Sequence, residues 1–174
     1  MILIMISSTA FADEPSDQSW WSGVKKTLSQ TWQSQDYELY IPVNTWHNRH
    51  YYTQEKIDGY NENPWGLGIG KYRFDEDGDW HALYAMAFSD SHSEIEPIAG
   101  YAFQKVWRPT DDVRLGAGYT LGVTLRQDIN YLPIPVIAPL CSVAYKKLAV
   151  QSTYILGGEG HGNILFTWIR WQLD

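Results

Sequence analysis

Over residues 113–126 the chain alternates without a break. Val113, Leu115, Ala117, Tyr119, Leu121, Val123 and Leu125 fall on one face of an extended strand, and Arg114, Gly116, Gly118, Thr120, Gly122, Thr124 and Arg126 on the other. Few soluble strands keep a period of two for so long, and a run beyond about ten residues matches a tilted membrane strand. The second face is small rather than charged. Small inward side chains imply a bore that no salt-bridge network fills, which leaves room for another occupant.

Seven further segments carry weaker alternation, at 37–47, 65–74, 80–90, 96–107, 136–145, 148–156 and 163–173. Their connections differ in kind. Residues 75–79, 109–112 and 146–147 are short turns, whereas 48–64, 91–95, 127–135 and 157–162 are mostly longer. Short turns at one end and longer loops at the other mark an outer-membrane barrel. The expected fold is all-β, an eight-stranded antiparallel transmembrane β-barrel. Ahead of it, residues 19–33 place Trp21, Val24, Leu28 and Trp32 on one helical stripe, with Lys25, Lys26 and Gln30 elsewhere on the wheel. This predicts an N-terminal amphipathic α-helix. It either lies in a membrane interface or covers the end of the barrel, and periodicity alone supports both readings.

Composition agrees. The chain holds 9 Trp and 12 Tyr at a mean hydropathy of −0.34, an aromatic excess that interfacial girdles explain. No run of about 18 apolar residues exists, which excludes a spanning helix but not a barrel. A length of 174 residues gives one domain, and a net charge of −7 argues against nucleic acid as a partner. The lone Cys141 excludes an internal disulfide framework and a multi-cysteine metal site. Residues 1–12 are uncharged and end in Ala10-Phe11-Ala12, the form of a signal-peptidase site, although a basic n-region is missing. The barrel domain with its helix is therefore expected over residues 13–174, with residues 1–12 a possibly truncated signal peptide or, alternatively, a disordered apolar tail.

In an up-and-down barrel the ends of odd-numbered strands meet at one rim. That rule brings His47, Asp90 and Ser91 to the mouth with the longer loops, and a histidine near a hydroxyl and a carboxylate can act as a general base. The bland alternatives are an exposed loop histidine and an Asx turn beginning at Asp90. No pair of histidines has metal-site spacing, so no metal is expected. Three prolines interrupt the apolar run at 132–139, and Pro42 and Pro64 flank the first long loop. Proline cannot donate to a strand ladder, so each marks either a bent strand end or a gap in the wall.

Along essentially the whole mature chain the residues resemble the lipid A palmitoyltransferases of Gram-negative outer membranes, the PagP family. The likeness is carried by Tyr-Glu-Leu-Tyr-Ile-Pro (37–42), Thr-Trp-His (45–47), Tyr-Asn-Glu-Asn-Pro-Trp-Gly (60–66), Trp-His-Ala-Leu-Tyr-Ala-Met-Ala-Phe (80–88), Asp-Ser (90–91), Glu-Pro-Ile-Ala-Gly-Tyr (96–101) and Trp-Arg-Pro (107–109). The resemblance implies transfer of a palmitoyl chain from the sn-1 position of a glycerophospholipid to a hydroxyacyl chain of lipid A. It implies His47, Asp90 and Ser91 as the essential residues, with His47 the base, Asp90 orienting or charging it and Ser91 either supporting or carrying the acyl group. It also implies an acyl-chain ruler whose floor glycine is replaced here by Ala102, and lateral lipid access beside Pro42 and Pro64 on one side and Pro139, facing Leu156, on the other. Outer-membrane lipids are its surroundings, no cofactor is expected, and the state is a monomer or homodimer. The competing readings are a non-catalytic structural or adhesive barrel and, behind it, a soluble lipocalin-like carrier.

Overall fold

Eight strands, each antiparallel to its neighbours, close into a barrel in the order β1 to β8. The computed structural model describes residues 17–158 and 162–173, and the expected leader at 1–12 lies outside them. The elements are α1 (Asp17–Gln33), β1 (Tyr37–His47), α2 (Gln54–Asp58), β2 (Gly66–Phe74), β3 (Trp80–Ser89), β4 (Ile95–Trp107), β5 (Val113–Leu125), β6 (Pro133–Tyr145), β7 (Leu148–Ile155) and β8 (Ile164–Leu173). The five-residue α2 inside the first long loop is too short to show a periodic stripe and was not expected.

Among the strands only β6 departs from its expected bounds by more than one residue, starting at Pro133 instead of 136. Prolines 133, 135 and 139 have the same parity, and β6 stays paired with β5 through all of them, as Leu125↔Pro133, Val123↔Pro135 and Tyr119↔Pro139. Their missing N–H groups therefore face β7. There the ladder begins only at Leu140↔Thr153, and the Pro139 carbonyl on that side accepts the Thr153 hydroxyl at 2.7 Å. Proline is accommodated because the edge it weakens is already unpaired.

The alternation sorts the two faces as a membrane barrel requires. On β5, Leu115, Tyr119, Leu121 and Val123 are exposed while Gly116, Thr120 and Thr124 are buried. The bore is not empty throughout, and here the expectation of an unfilled interior needs correcting. Its half nearest the short turns is filled by polar side chains. Tyr40 donates its hydroxyl to the fully buried Glu38, whose other oxygen lies 3.6 Å from Nε of Arg170. The Arg170 guanidinium stacks over Trp80 at 4.2 Å. Beside them Gln104 accepts hydrogen bonds from Ser142 (2.9 Å) and Gln151 (3.1 Å), and Gln151 accepts one from Trp168 (3.0 Å). The small residues make room for this plug. A Cβ on Gly116 would lie 2.6 Å from Ser142 Oγ, and one on Gly70 would lie 2.8 Å from the Tyr40 hydroxyl.

Helix α1 covers part of the barrel, the second of the two readings of its stripe. It packs on β2 at the plugged end, with Thr31 fully buried and accepting from Arg73 Nε at 3.3 Å, while Lys71 donates to the Trp32 carbonyl at 2.9 Å. Trp20, Trp21 and Trp32 are exposed, the Trp32 ring lying beneath the Lys71 ammonium at 5.4 Å.

Breaking the plug's ion pair from one side isolates a buried charge, whereas removing both partners does not. Urea unfolding of the detergent-folded protein is expected to show Arg170→Met losing about 3–5 kcal/mol, with most of that recovered in the Glu38→Leu/Arg170→Met double variant. Equal losses in the two would contradict this account.

Candidate active site

Above the plug the bore opens into a cavity of about 540 Å³, a size suited to one flexible apolar ligand. Met86, Phe88, Ile98, Leu140 and Phe166 line it, with Tyr40, Trp80 and Trp168 toward the floor. Ala102 lies in its wall, almost fully buried and paired with Ala82 on one side and Thr120 on the other. The lining also includes residues 134–137 and 155–156, so the cavity reaches the barrel wall where β6 and β7 are unpaired.

At the mouth, β1 delivers His47, a residue only 2% exposed. The ring stacks on Tyr60 (centroids 4.7 Å apart) and meets the edge of Tyr52 (5.2 Å), so packing fixes its plane. Its Nε2 lies 3.0 Å from Ser91 Oγ, a distance suited to a base and a hydroxyl. Its Nδ1 lies 2.9 Å from Glu62 Oε1, which also accepts the backbone N–H of His47 at 3.0 Å. Arg49 donates to both Glu62 oxygens, each at 2.6 Å. Hydrogen bonding from Arg49 outweighs the partial burial of the carboxyl and, with the N–H groups of His47, lowers the Glu62 pKa to about 2.

Asp90 is used differently. Its Oδ1 accepts the backbone N–H groups of His92 (2.8 Å) and Glu94 (2.9 Å), and its Oδ2 lies 3.8 Å from the His92 ring. This is the Asx turn that sequence offered as the bland alternative, and it shapes the loop that presents Ser91. Asp90 still borders the cavity. The carboxylate that hydrogen-bonds His47 is Glu62, which the reading of strand ends missed because Glu62 stands on no strand. The signal for it was indirect: Pro42 breaks the edge of β1, and whatever covers that edge must approach His47.

That cover is the segment 60–65. Pairing of β1 with β2 stops at Tyr40↔Gly68, and a register shift follows between Pro42 and Asn44 on the β8 side. Beyond it, Thr45 donates its N–H to the Glu62 carbonyl at 3.0 Å, while Asn61 donates to the Ser91 carbonyl (2.8 Å) and Ser89 to the Trp65 carbonyl (2.8 Å). Pro64 lies within this segment. It thus spans from the strand bearing His47 to the loop bearing Ser91. The second seam, beside Pro139, has Leu156 highly exposed at the end of β7. Among the described residues no group of three ligating side chains could hold a metal ion.

A family model described as "Antimicrobial peptide resistance and lipid A acylation protein PagP" matches residues 27–170. The lipid A acyltransferase PagP of Laribacter hongkongensis is 61% identical over 153 residues, covering 88% of this chain and 74% of that protein. The one from Pectobacterium carotovorum subsp. carotovorum is 50% identical over 173 residues, 98% of this chain and 82% of its own. That of Photorhabdus laumondii subsp. laumondii is 53% identical over 168 residues, 95% and 81% respectively. With likeness extending from the helix through the last strand, this chain belongs to the PagP family.

Proposed function

We propose that the protein is an outer-membrane acyltransferase of a Gram-negative bacterium that moves an acyl chain from the sn-1 position of a glycerophospholipid to a hydroxyl on a hydroxyacyl chain of lipid A. The single observation that carries this reading is a buried, oriented His47 within hydrogen-bond reach of Ser91 at the open end of an apolar cavity closed at its floor. A merely structural barrel has no need of that arrangement.

In the reaction, His47 Nε2 takes the proton of the acceptor hydroxyl as its oxygen attacks the donor ester carbonyl. The ester bond to glycerol then breaks, and the proton passes from His47 to the departing glycerol oxygen. The products are acylated lipid A and a lysophospholipid, with no cofactor involved. Asp90 holds the turn that presents Ser91 and adds negative charge at the mouth. The donor's hydrocarbon chain enters sideways, beside Pro139 or beside Pro42 and Pro64, where the strand ladder is interrupted. The contact between Ser91 and His47 also favours a second version, in which Ser91 attacks first and carries the acyl group.

Mass spectrometry of lipid A, after incubation of the folded protein with lipid A and a phospholipid of mixed sn-1 chains, tests the transfer. Addition of an acyl chain by the wild type, reduced about 10²- to 10⁴-fold in His47→Ala, is the expected result; no addition by a demonstrably folded barrel overturns the proposal. Incubation with donor alone separates the two versions, since an acylated Ser91 in the intact-protein mass appears only in the second.

The resemblance implies a glycine at the ruler's floor; the residue here is Ala102, which lies in the cavity wall and adds one methyl to the lining, and a tight pocket registers a buried methyl. The chain transferred is therefore expected to be slightly shorter than palmitate, and Ala102→Gly to lengthen it by about one methylene. Pure palmitate transfer by the wild type would count against this ruler.

A further inference from the structure

On the reading that His47 is the base of acyl transfer, we infer that Glu62, held by Arg49, is the positioning residue that fixes the tautomer of His47. The geometry is specific. A carboxylate can only accept, so the 2.9 Å contact at Nδ1 requires that nitrogen to carry the proton. In the neutral ring this leaves Nε2 unprotonated, facing the Ser91 hydroxyl at 3.0 Å and able to receive a proton. A histidine whose second nitrogen is anchored in this way presents one defined basic nitrogen to its substrate.

Glu62 is itself held from several sides. Arg49 donates to both carboxylate oxygens, the His47 backbone N–H adds a third donor, and the Glu62 carbonyl accepts from Thr45 and from Asn44 Nδ2. With its pKa at about 2, the carboxylate stays ionised at any pH compatible with a lipid assay. The other groups about the ring are Tyr52 and Tyr60, with His92 on the far side of Tyr60 and engaged toward Asp90. None of these supplies an acceptor to Nδ1.

The test combines kinetics with nitrogen-15 NMR of histidine-labelled protein folded in detergent, the His47 signals being assigned by their loss in His47→Ala. In the wild type, Nδ1 is expected to be protonated and Nε2 not; the opposite tautomer overturns the inference without any variant having to fold. Glu62→Gln, whose amide can donate to Nδ1, is expected to populate the other tautomer and to lower kcat on the order of 10²-fold with KM for the donor unchanged. Glu62→Asp is expected to restore part of the rate and the wild-type tautomer. Unaltered kcat and tautomer in a folded Glu62→Gln protein would remove Glu62 from this role. His47→Ala in the same assay keeps the two questions apart: if it remains active, the proposed chemistry fails; if it is inactive while Glu62→Gln is not, only the positioning role fails.

Discussion

A wall immersed in hydrocarbon has to hydrogen-bond its own backbone, because lipid offers no partner for a free N–H or carbonyl. This barrel obeys that constraint fully around its plugged end and relaxes it at two seams nearer the mouth. Between β6 and β7 the relaxation is arranged by proline: three residues without an N–H occupy the edge where the ladder is missing. Between β1 and β2 it is arranged by substitution, with the segment 60–65 taking up the donors that β2 does not reach. Most of what distinguishes the mouth follows from these interruptions. The segment that repairs one seam is the one that carries Glu62 to His47.

The architecture could be read from sequence because a membrane barrel writes its faces at period two, and β5 does so over its whole length. The start of β6 could not, since Pro133 and Pro135 look like breakers until it is known that their unpaired edge has no partner to lose. The plug was hidden for another reason. Glu38, Gln104, Gln151 and Arg170 come from four different strands, and each alone resembles any inward polar residue. Their meeting depends on the stagger of strands around the barrel, which alternation within one strand does not report.

The site divides along the same line. His47 and Ser91 could be brought to one rim by counting strands, because strand ends obey topology. Glu62 could not, as its location depends on the path of a loop with no periodicity of its own. Asp90 was placed at the mouth by the same counting, but a rim position does not say which hydrogen bonds a carboxylate makes. Its turn-forming bonds to His92 and Glu94 are local, set by residues two and four positions on.

The filled half of the bore also decides how the cavity can be reached. Trp80, Gln104, Gln151 and Glu38 are buried across the interior at one level, and Arg170 closes over Trp80. Such a layer separates the cavity from the end of the barrel with the short turns. Whatever enters the cavity must therefore leave by the mouth or by a seam in the wall.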